Sequence, residues 1–83
     1  MKEIILSTRH HKNKVAEMVL YPGGGVYVRA EERRIPVGQM GNPLFNRIVD
    51  NWPLTSNIQR FEKWVNAAWQ RVIKKNPDFA KFT

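Results

Sequence analysis

The sequence predicts an α+β domain in which an antiparallel β-meander of three or four strands precedes two C-terminal helices packed on one face of the sheet. Two observations support this prediction. Apolar and polar residues alternate between turn-forming residues in the first half of the chain, whereas apolar residues recur at helical spacing in the second half. A length of 83 residues supports one hydrophobic core, so residues 1–83 are expected to form a single compact domain.

Four segments of the first half have the composition of β-strands. They cover residues 3–8, 15–21, 26–31 and 35–39. The last is a weaker edge strand because Pro36 interrupts it. Residues 22–25 read Pro-Gly-Gly-Gly, and glycines supply the positive φ angles of a hairpin turn. A phosphate-binding loop would need a following Lys-Ser/Thr and a helix N-terminus, and this segment has neither.

Two helices are predicted in the second half. The first begins with Asn42 as N-cap and Pro43 at the first helical position, and Pro53 ends it. The second begins at Ser56, where Gln59 completes a capping box, and ends before the Asn-Pro pair at residues 76–77. Its apolar stripe consists of Ile58, Phe61, Val65, Ala68, Trp69 and Val72. This stripe is expected to lie across the sheet.

Aromatic residues at core spacing complete the predicted hydrophobic core. They are Phe45, Trp52, Phe61 and Trp69. Replacement of Phe61 by alanine is expected to cost about 3–5 kcal/mol of stability, as for other buried phenylalanines.

Net positive charge is the strongest compositional feature of the chain. Fourteen Lys and Arg residues against seven Asp and Glu residues give a net charge of +7. Such an excess favours phosphate backbones or acidic protein surfaces, and it also keeps a small domain soluble. There is no cysteine and no apolar stretch near the ~20 residues that span a bilayer. The only early apolar run, residues 4–6, is too short for a signal peptide, so we expect no secretory leader. We therefore expect a cytoplasmic protein without disulfides or a membrane segment.

Basic residues concentrate on the longer predicted helix and in a predicted loop at residues 9–14. At about 100° per residue, the cations of this helix gather opposite its apolar stripe, and a tryptophan lies on the border. The candidates for nucleic-acid contacts are Arg9, Lys12, Lys14, Arg60, Lys63, Trp64, Arg71, Lys74 and Lys75. Cations beside an exposed ring suit phosphate contacts with base stacking, or an anchor in an acidic protein groove. A solvated helix face is the alternative.

The predicted loop also contains the adjacent histidines His10 and His11, whose side chains point in opposite directions in an extended chain. They cannot chelate one ion together, and no neighbouring Cys or acidic cluster completes a metal site. A ribonuclease-like toxin would use His as acid or base with Lys or Arg on phosphate, but this spacing is not diagnostic of one. We therefore expect no metal, no cofactor and no catalytic residue.

The third strand predicts a second candidate surface. If Val26, Val28 and Ala30 face the helices, then Tyr27, Arg29 and Glu31 lie on the open side of the sheet. Together with Tyr21 on the preceding strand, these three residues are the candidates for binding a partner protein. A solvated sheet face is the alternative.

Short segments along nearly the whole chain form a further pattern. They are Leu6-Ser7-Thr8, Tyr21 before the glycine hairpin, Arg29 with Glu31, Val37-Gly38, Trp52, Asn66-Ala67 and Asn76-Pro77. With this spacing the chain resembles the small phage-encoded anti-CRISPR proteins that inhibit type I-F surveillance complexes. The resemblance implies a four-stranded antiparallel sheet with helices, and a stoichiometric inhibitor whose sheet tyrosines and glutamate grip a Cas backbone subunit.

Carried over by residue, the resemblance implies that Tyr21 and Glu31 contact the partner. The family pattern has another tyrosine in the first strand, where this chain has Ile5. The first hypothesis is therefore a phage-type inhibitor, monomer or homodimer, that binds a host protein or ribonucleoprotein complex, with Cas proteins as candidate targets. The second is a basic domain that binds DNA or RNA through its C-terminal helix and residues 9–14.

Overall fold

Four consecutive strands form one antiparallel sheet in the order β1-β2-β3-β4, and helices cover one of its faces. The computed structural model of the chain describes residues 2–52 and 59–83. The elements are β1 (Ile4–His11), β2 (Lys14–Leu20), β3 (Gly25–Ala30), β4 (Arg33–Gln39), α1 (Asn42–Asn51), α2 (Gln59–Lys75) and a 3₁₀ helix (Pro77–Lys81). The α+β class is confirmed, and the described residues contain all four predicted strands.

The predicted basic loop at residues 9–14 is wrong. β1 continues to His11 and β2 begins at Lys14, so the turn consists of Lys12 and Asn13 alone. Lys12 has a φ of 55°, in the left-handed region that tight hairpin turns use. The polar side chains do not end the strand, because backbone pairing between β1 and β2 continues to the last residues before the turn.

The glycine segment forms a hairpin, as predicted. Gly23 and Gly24 have φ angles of 96° and 93°, which are strained for residues with a Cβ. The Tyr21 amide donates to the Gly25 carbonyl over 2.8 Å, and the Gly24 amide donates to the Tyr21 carbonyl over 3.1 Å. These bonds close the connection between β2 and β3.

α2 supplies most of the helical contribution to the core. Its fully buried residues are Val65, Ala68, Trp69 and Val72, and they pack against the inner residues of the sheet. Phe61 is only partly buried, so the expectation of full burial is wrong. The predicted helix start at Ser56 and the stripe residue Ile58 lie outside the described residues.

α1 is anchored mainly by Ile48, which is fully buried. The residue before the helix, Gly41, occupies the N-cap position, so the prediction of Asn42 as N-cap is wrong. Phe45 is partly buried and Trp52 is 36% exposed, with its ring edge-on to that of Phe61 at 5.6 Å. Of the predicted aromatic core, only Trp69 is therefore fully buried within the described residues.

The C-terminal segment, residues 76–83, forms part of the core that the sequence analysis did not predict. Phe79 and Phe82 are each 1% exposed. Thr83 exchanges two backbone hydrogen bonds of 3.0 Å with His10, so the segment pairs with the edge of β1. The His11 ring also meets the Phe82 ring edge-on at 6.3 Å. This segment therefore closes the core at the end of β1.

Charged contacts hold the other end of the same segment against β4. The Arg33 guanidinium donates to the Asp78 carboxylate over 2.5 Å and to the Asn76 side-chain oxygen over 3.1 Å. It also lies 4.8 Å from the centre of the Phe79 ring. The segment thus joins the two edge strands of the sheet.

Candidate functional site

One face of the sheet is left uncovered by the helices and is called the open face here. Val26, Val28 and Ala30 are buried toward the helices, so the alternation predicted for β3 is confirmed. Tyr27 and Arg29 lie on the open face and are partly buried. The antiparallel registers place side chains of the neighbouring strands beside them.

Two tyrosines and two arginines meet on this face and form the tyrosine–arginine cluster: Tyr21, Tyr27, Arg29 and Arg34. The tyrosine rings pack edge-on at 5.4 Å. The Arg34 guanidinium lies 4.6 Å from the Tyr21 ring centre and 4.4 Å from that of Tyr27, within the range of cation–π attraction. The Arg29 guanidinium donates to the Tyr21 hydroxyl over 3.4 Å. The structure therefore brings three predicted residues together and adds Arg34.

The two arginines of the cluster differ in their electrostatic environment. Arg29 forms ion pairs with Glu3 at 3.0 Å and with Glu17 at 3.6 Å. The hydrogen bond to the Glu3 carboxylate is the main reason that the pKa of Arg29 is raised. Within residues 2–52 and 59–83, Arg34 forms no ion pair. Its charge lies over two tyrosine rings, and no carboxylate of the described residues neutralises it.

Apolar side chains also lie on the open face, outside the main core. Val19 is 0% exposed but does not belong to the main core, and it pairs across the sheet with Ile5 on one side and Tyr27 on the other. Ile5 and Val15 are 42% and 43% exposed. Aromatic, cationic and apolar groups therefore share this face; aromatic residues and arginine are enriched at protein interfaces in general.

Glu31 does not join the cluster, so its predicted position on the open face is wrong. It lies in the turn between β3 and β4 with a φ of 51°, which ends the alternation of the strand. Its carboxylate pairs with the Lys81 ammonium at 2.8 Å and the Lys14 ammonium at 2.9 Å. The hydrogen bond from Lys81, followed by that from Lys14, lowers the pKa of Glu31 to about 2.

A pH dependence of stability follows from this lowered pKa. Unfolding returns Glu31 toward its ordinary pKa of 4.5, so its contribution is present above that value and is lost as the pH falls toward about 2. We expect Glu31→Gln to lower the free energy of unfolding at neutral pH, with the difference from the original protein shrinking through this window. Urea denaturation at several pH values measures it.

The matched control is Glu32→Gln, which changes the neighbouring residue of the same turn. Glu32 also has a positive φ, 63°, but forms no ion pair among the described residues. An equal pH dependence for both variants would contradict the role assigned to the two lysines.

The predicted helix cations are exposed on α2. Arg60, Lys63, Arg71, Lys74 and Lys75 lie at the surface, whereas the Trp64 ring is partly buried against the core. The Arg71 guanidinium lies 5.7 Å from the centre of that ring. The sequence analysis missed Arg47 of α1, which lines a cleft together with Arg60 and Lys63. Only the packing of α1 beside α2 brings this residue to the basic surface.

The cations of residues 9–14 have separate environments. The Arg9 guanidinium stacks 4.6 Å from the centre of the Trp69 ring, and partial burial lowers the pKa of Arg9. Lys12 is exposed in the turn, and Lys14 is paired with Glu31. No described contact joins these three residues to the cations of α2, so they do not form one site.

The two adjacent histidines make contacts with the C-terminal segment. The backbone of His10 pairs with Thr83 and the His11 ring packs against Phe82. In the part of the chain that the structure describes, no three His, Cys, Asp or Glu residues are close enough to hold a metal ion. No helix there is long and apolar enough to span a membrane.

Comparisons with protein-family models, with curated proteins and with solved structures found no match to this chain.

Proposed function

We propose that the protein is a small non-catalytic inhibitor of the anti-CRISPR kind, which acts in the host cytoplasm by binding a protein or nucleoprotein complex through the open face. The observation that supports this proposal is the tyrosine–arginine cluster, which lies on a sheet face that the helices leave uncovered. Inhibition through such a surface is stoichiometric, because each inhibitor molecule blocks the one target complex to which it is bound.

The cluster has the properties of a binding hot spot. Tyr and Arg are enriched among the residues that dominate interface energetics. Here each ring is fixed by the other ring and by Arg34, and the Tyr21 hydroxyl is fixed by Arg29. Side chains that are ordered before binding lose less conformational entropy when the partner docks.

Arg34 also indicates the chemistry of the partner. Arg29 is neutralised by two carboxylates, whereas Arg34 has no ion pair among the described residues. A planar guanidinium can hold a carboxylate with two parallel hydrogen bonds. We therefore expect an acidic group of the partner to lie on Arg34, and further apolar contacts at Ile5 and Val15, which lie on the first two strands of the same face.

This contact set differs from the one that the resemblance implies. Tyr21 remains in it, but Glu31 does not, because its carboxylate already binds Lys14 and Lys81. Ile5 replaces the tyrosine of the family pattern with an exposed apolar side chain. The proposed target is therefore a Cas complex whose docking surface is acidic near Arg34.

The experiment measures binding to a purified type I-F surveillance complex by biolayer interferometry, together with inhibition of target DNA binding. We expect inhibition to saturate at a fixed molar ratio of protein to complex. We expect Arg34→Ala to weaken binding by about 30-fold or more, which corresponds to a hot-spot loss of about 2 kcal/mol. Circular dichroism checks that the variant is folded.

The matched control is Lys74→Ala, which removes one exposed cation from α2. Under the proposal this variant binds like the original protein. Equal losses in the two variants would contradict the open face as the binding surface, and no binding by the original protein would contradict this class of target.

A further inference from the structure

The helical layer contains an open cleft on the side of the molecule away from the open face. One part is a depression of about 230 Å³ lined by Gly41, Pro43, Leu44, Arg60 and Trp64. The adjoining part, of about 310 Å³, is lined by Arg47, Gln59, Arg60 and Lys63. Arg60 lines both parts, so the part that contains Leu44 and the Trp64 ring is continuous with a basic one.

The charge of this layer is strongly one-sided. α1 and α2 carry six Lys or Arg residues and two Asp or Glu residues. Across residues 2–52 and 59–83, every ion pair joins residues of the sheet, its turns, the C-terminal segment or Glu3 just before β1, and none involves α1 or α2. The basic end of the cleft therefore attracts anions without competition from a paired carboxylate.

The other end of the cleft places an aromatic ring and two apolar side chains beside these cations. The Trp64 ring is partly buried against the core and therefore held in place. Leu44 is also partly buried, and Pro43 is exposed next to it. An aromatic ring next to a basic groove is the arrangement by which proteins bind single strands, with a base on the ring and phosphates on the cations.

We propose that this cleft binds single-stranded nucleic acid, with phosphates on Arg47, Arg60 and Lys63 and a base against Trp64. A single strand fits better than a duplex, because only an unpaired base can reach the apolar surface while its phosphate stays on the cations. This site revises the predicted one: it adds Arg47, keeps Arg60, Lys63 and Trp64, and excludes the other predicted cations, Arg9, Lys12, Lys14, Arg71, Lys74 and Lys75. It is separate from the open face, so it does not depend on the proposed inhibitor function.

The experiment measures fluorescence anisotropy with labelled oligo-dT and oligo-U of about 12 nucleotides, at about 50 and about 200 mM salt. The variant Arg47→Ala/Arg60→Ala/Lys63→Ala removes the three cations of the cleft. We expect it to weaken binding more than about tenfold at low salt and to reduce the salt slope by about 2, since each single-strand phosphate contact contributes about 0.7. The two oligonucleotides separate DNA from RNA as the preferred ligand.

The matched control is Lys12→Ala/Lys74→Ala/Lys75→Ala, which removes the same charge from exposed positions outside the cleft. We expect a much smaller loss from it. Trp64→Leu keeps an apolar side chain and should weaken binding at least about fivefold through lost stacking. Equal losses of affinity in the two triple variants would overturn the proposal, because binding would then depend on the net charge of the protein and not on the cleft. Absence of binding at low salt, or equal binding of a duplex or of polyglutamate, would also overturn it.

Discussion

Phe79→Ala is expected to destabilise the protein by about 3–5 kcal/mol, as for other fully buried phenylalanines. The Phe79 ring is 1% exposed, packs against Phe82 with ring centres 5.5 Å apart, and lies under the Arg33 guanidinium. Its removal leaves a cavity in the segment that joins the two edge strands. Because small domains have total stabilities of about 5–15 kcal/mol, this loss is a large share of the total. Chemical denaturation measures it.

The control for this prediction is Asp78→Asn, which weakens the exposed ion pair with Arg33 and leaves the ring in place. Exposed pairs contribute about 1 kcal/mol or less, so the loss should be small. A loss below about 1 kcal/mol for Phe79→Ala would contradict the place of this segment in the core.

Trp69→Ala is expected to cost a similar amount, about 3–5 kcal/mol. The Trp69 side chain is 1% exposed, donates from its indole nitrogen to the Ser7 hydroxyl over 3.1 Å, and is covered by the Arg9 guanidinium. It joins α2 to β1 across the core. The substitution therefore removes packing contacts between α2 and β1 and leaves the Ser7 hydroxyl without the indole N–H as hydrogen-bond donor.

The comparison variant is Phe61→Ala on the same helix. Because Phe61 is only partly buried, we expect a loss of about 1–2 kcal/mol, less than full burial would give. Thermal and urea unfolding of the two variants should rank them in this order. The reverse order would show that α2 packs on the sheet with a different face.

The fold could be predicted because its strands and helices depend on local patterns. The alternation through Val26, Val28 and Ala30 placed Tyr27 and Arg29 on the open face, and the spacing of Val65, Ala68 and Val72 placed α2 on the sheet. In each case the same periodic pattern extends over several residues of the element. One residue that departs from the pattern therefore does not change which face of the strand or helix is predicted to be buried.

The errors occurred where one residue breaks such a pattern or where two segments meet. Glu31 was placed by alternation, but its positive φ turns the chain away from the strand. Arg34 lies between the predicted strands at residues 26–31 and 35–39, and only the pairing of Arg29 with Arg34 brings it beside the tyrosines. Phe79 and Phe82 follow the Pro77 that ends the helical pattern, and two residues are too few to establish a period.

The C-terminal segment has a consequence for synthesis of the protein on the ribosome. Phe79 and Phe82 leave the ribosome after all the other described elements, yet they complete the core and their segment pairs with the first strand. Until they emerge, the inner face of the sheet is incompletely covered and the edge of β1 is unpaired. Exposed apolar surface and free strand edges make nascent chains prone to aggregate. Folding of the core therefore requires that residues 76–83 have been translated, and chaperones that bind apolar segments can bind the nascent chain before that point.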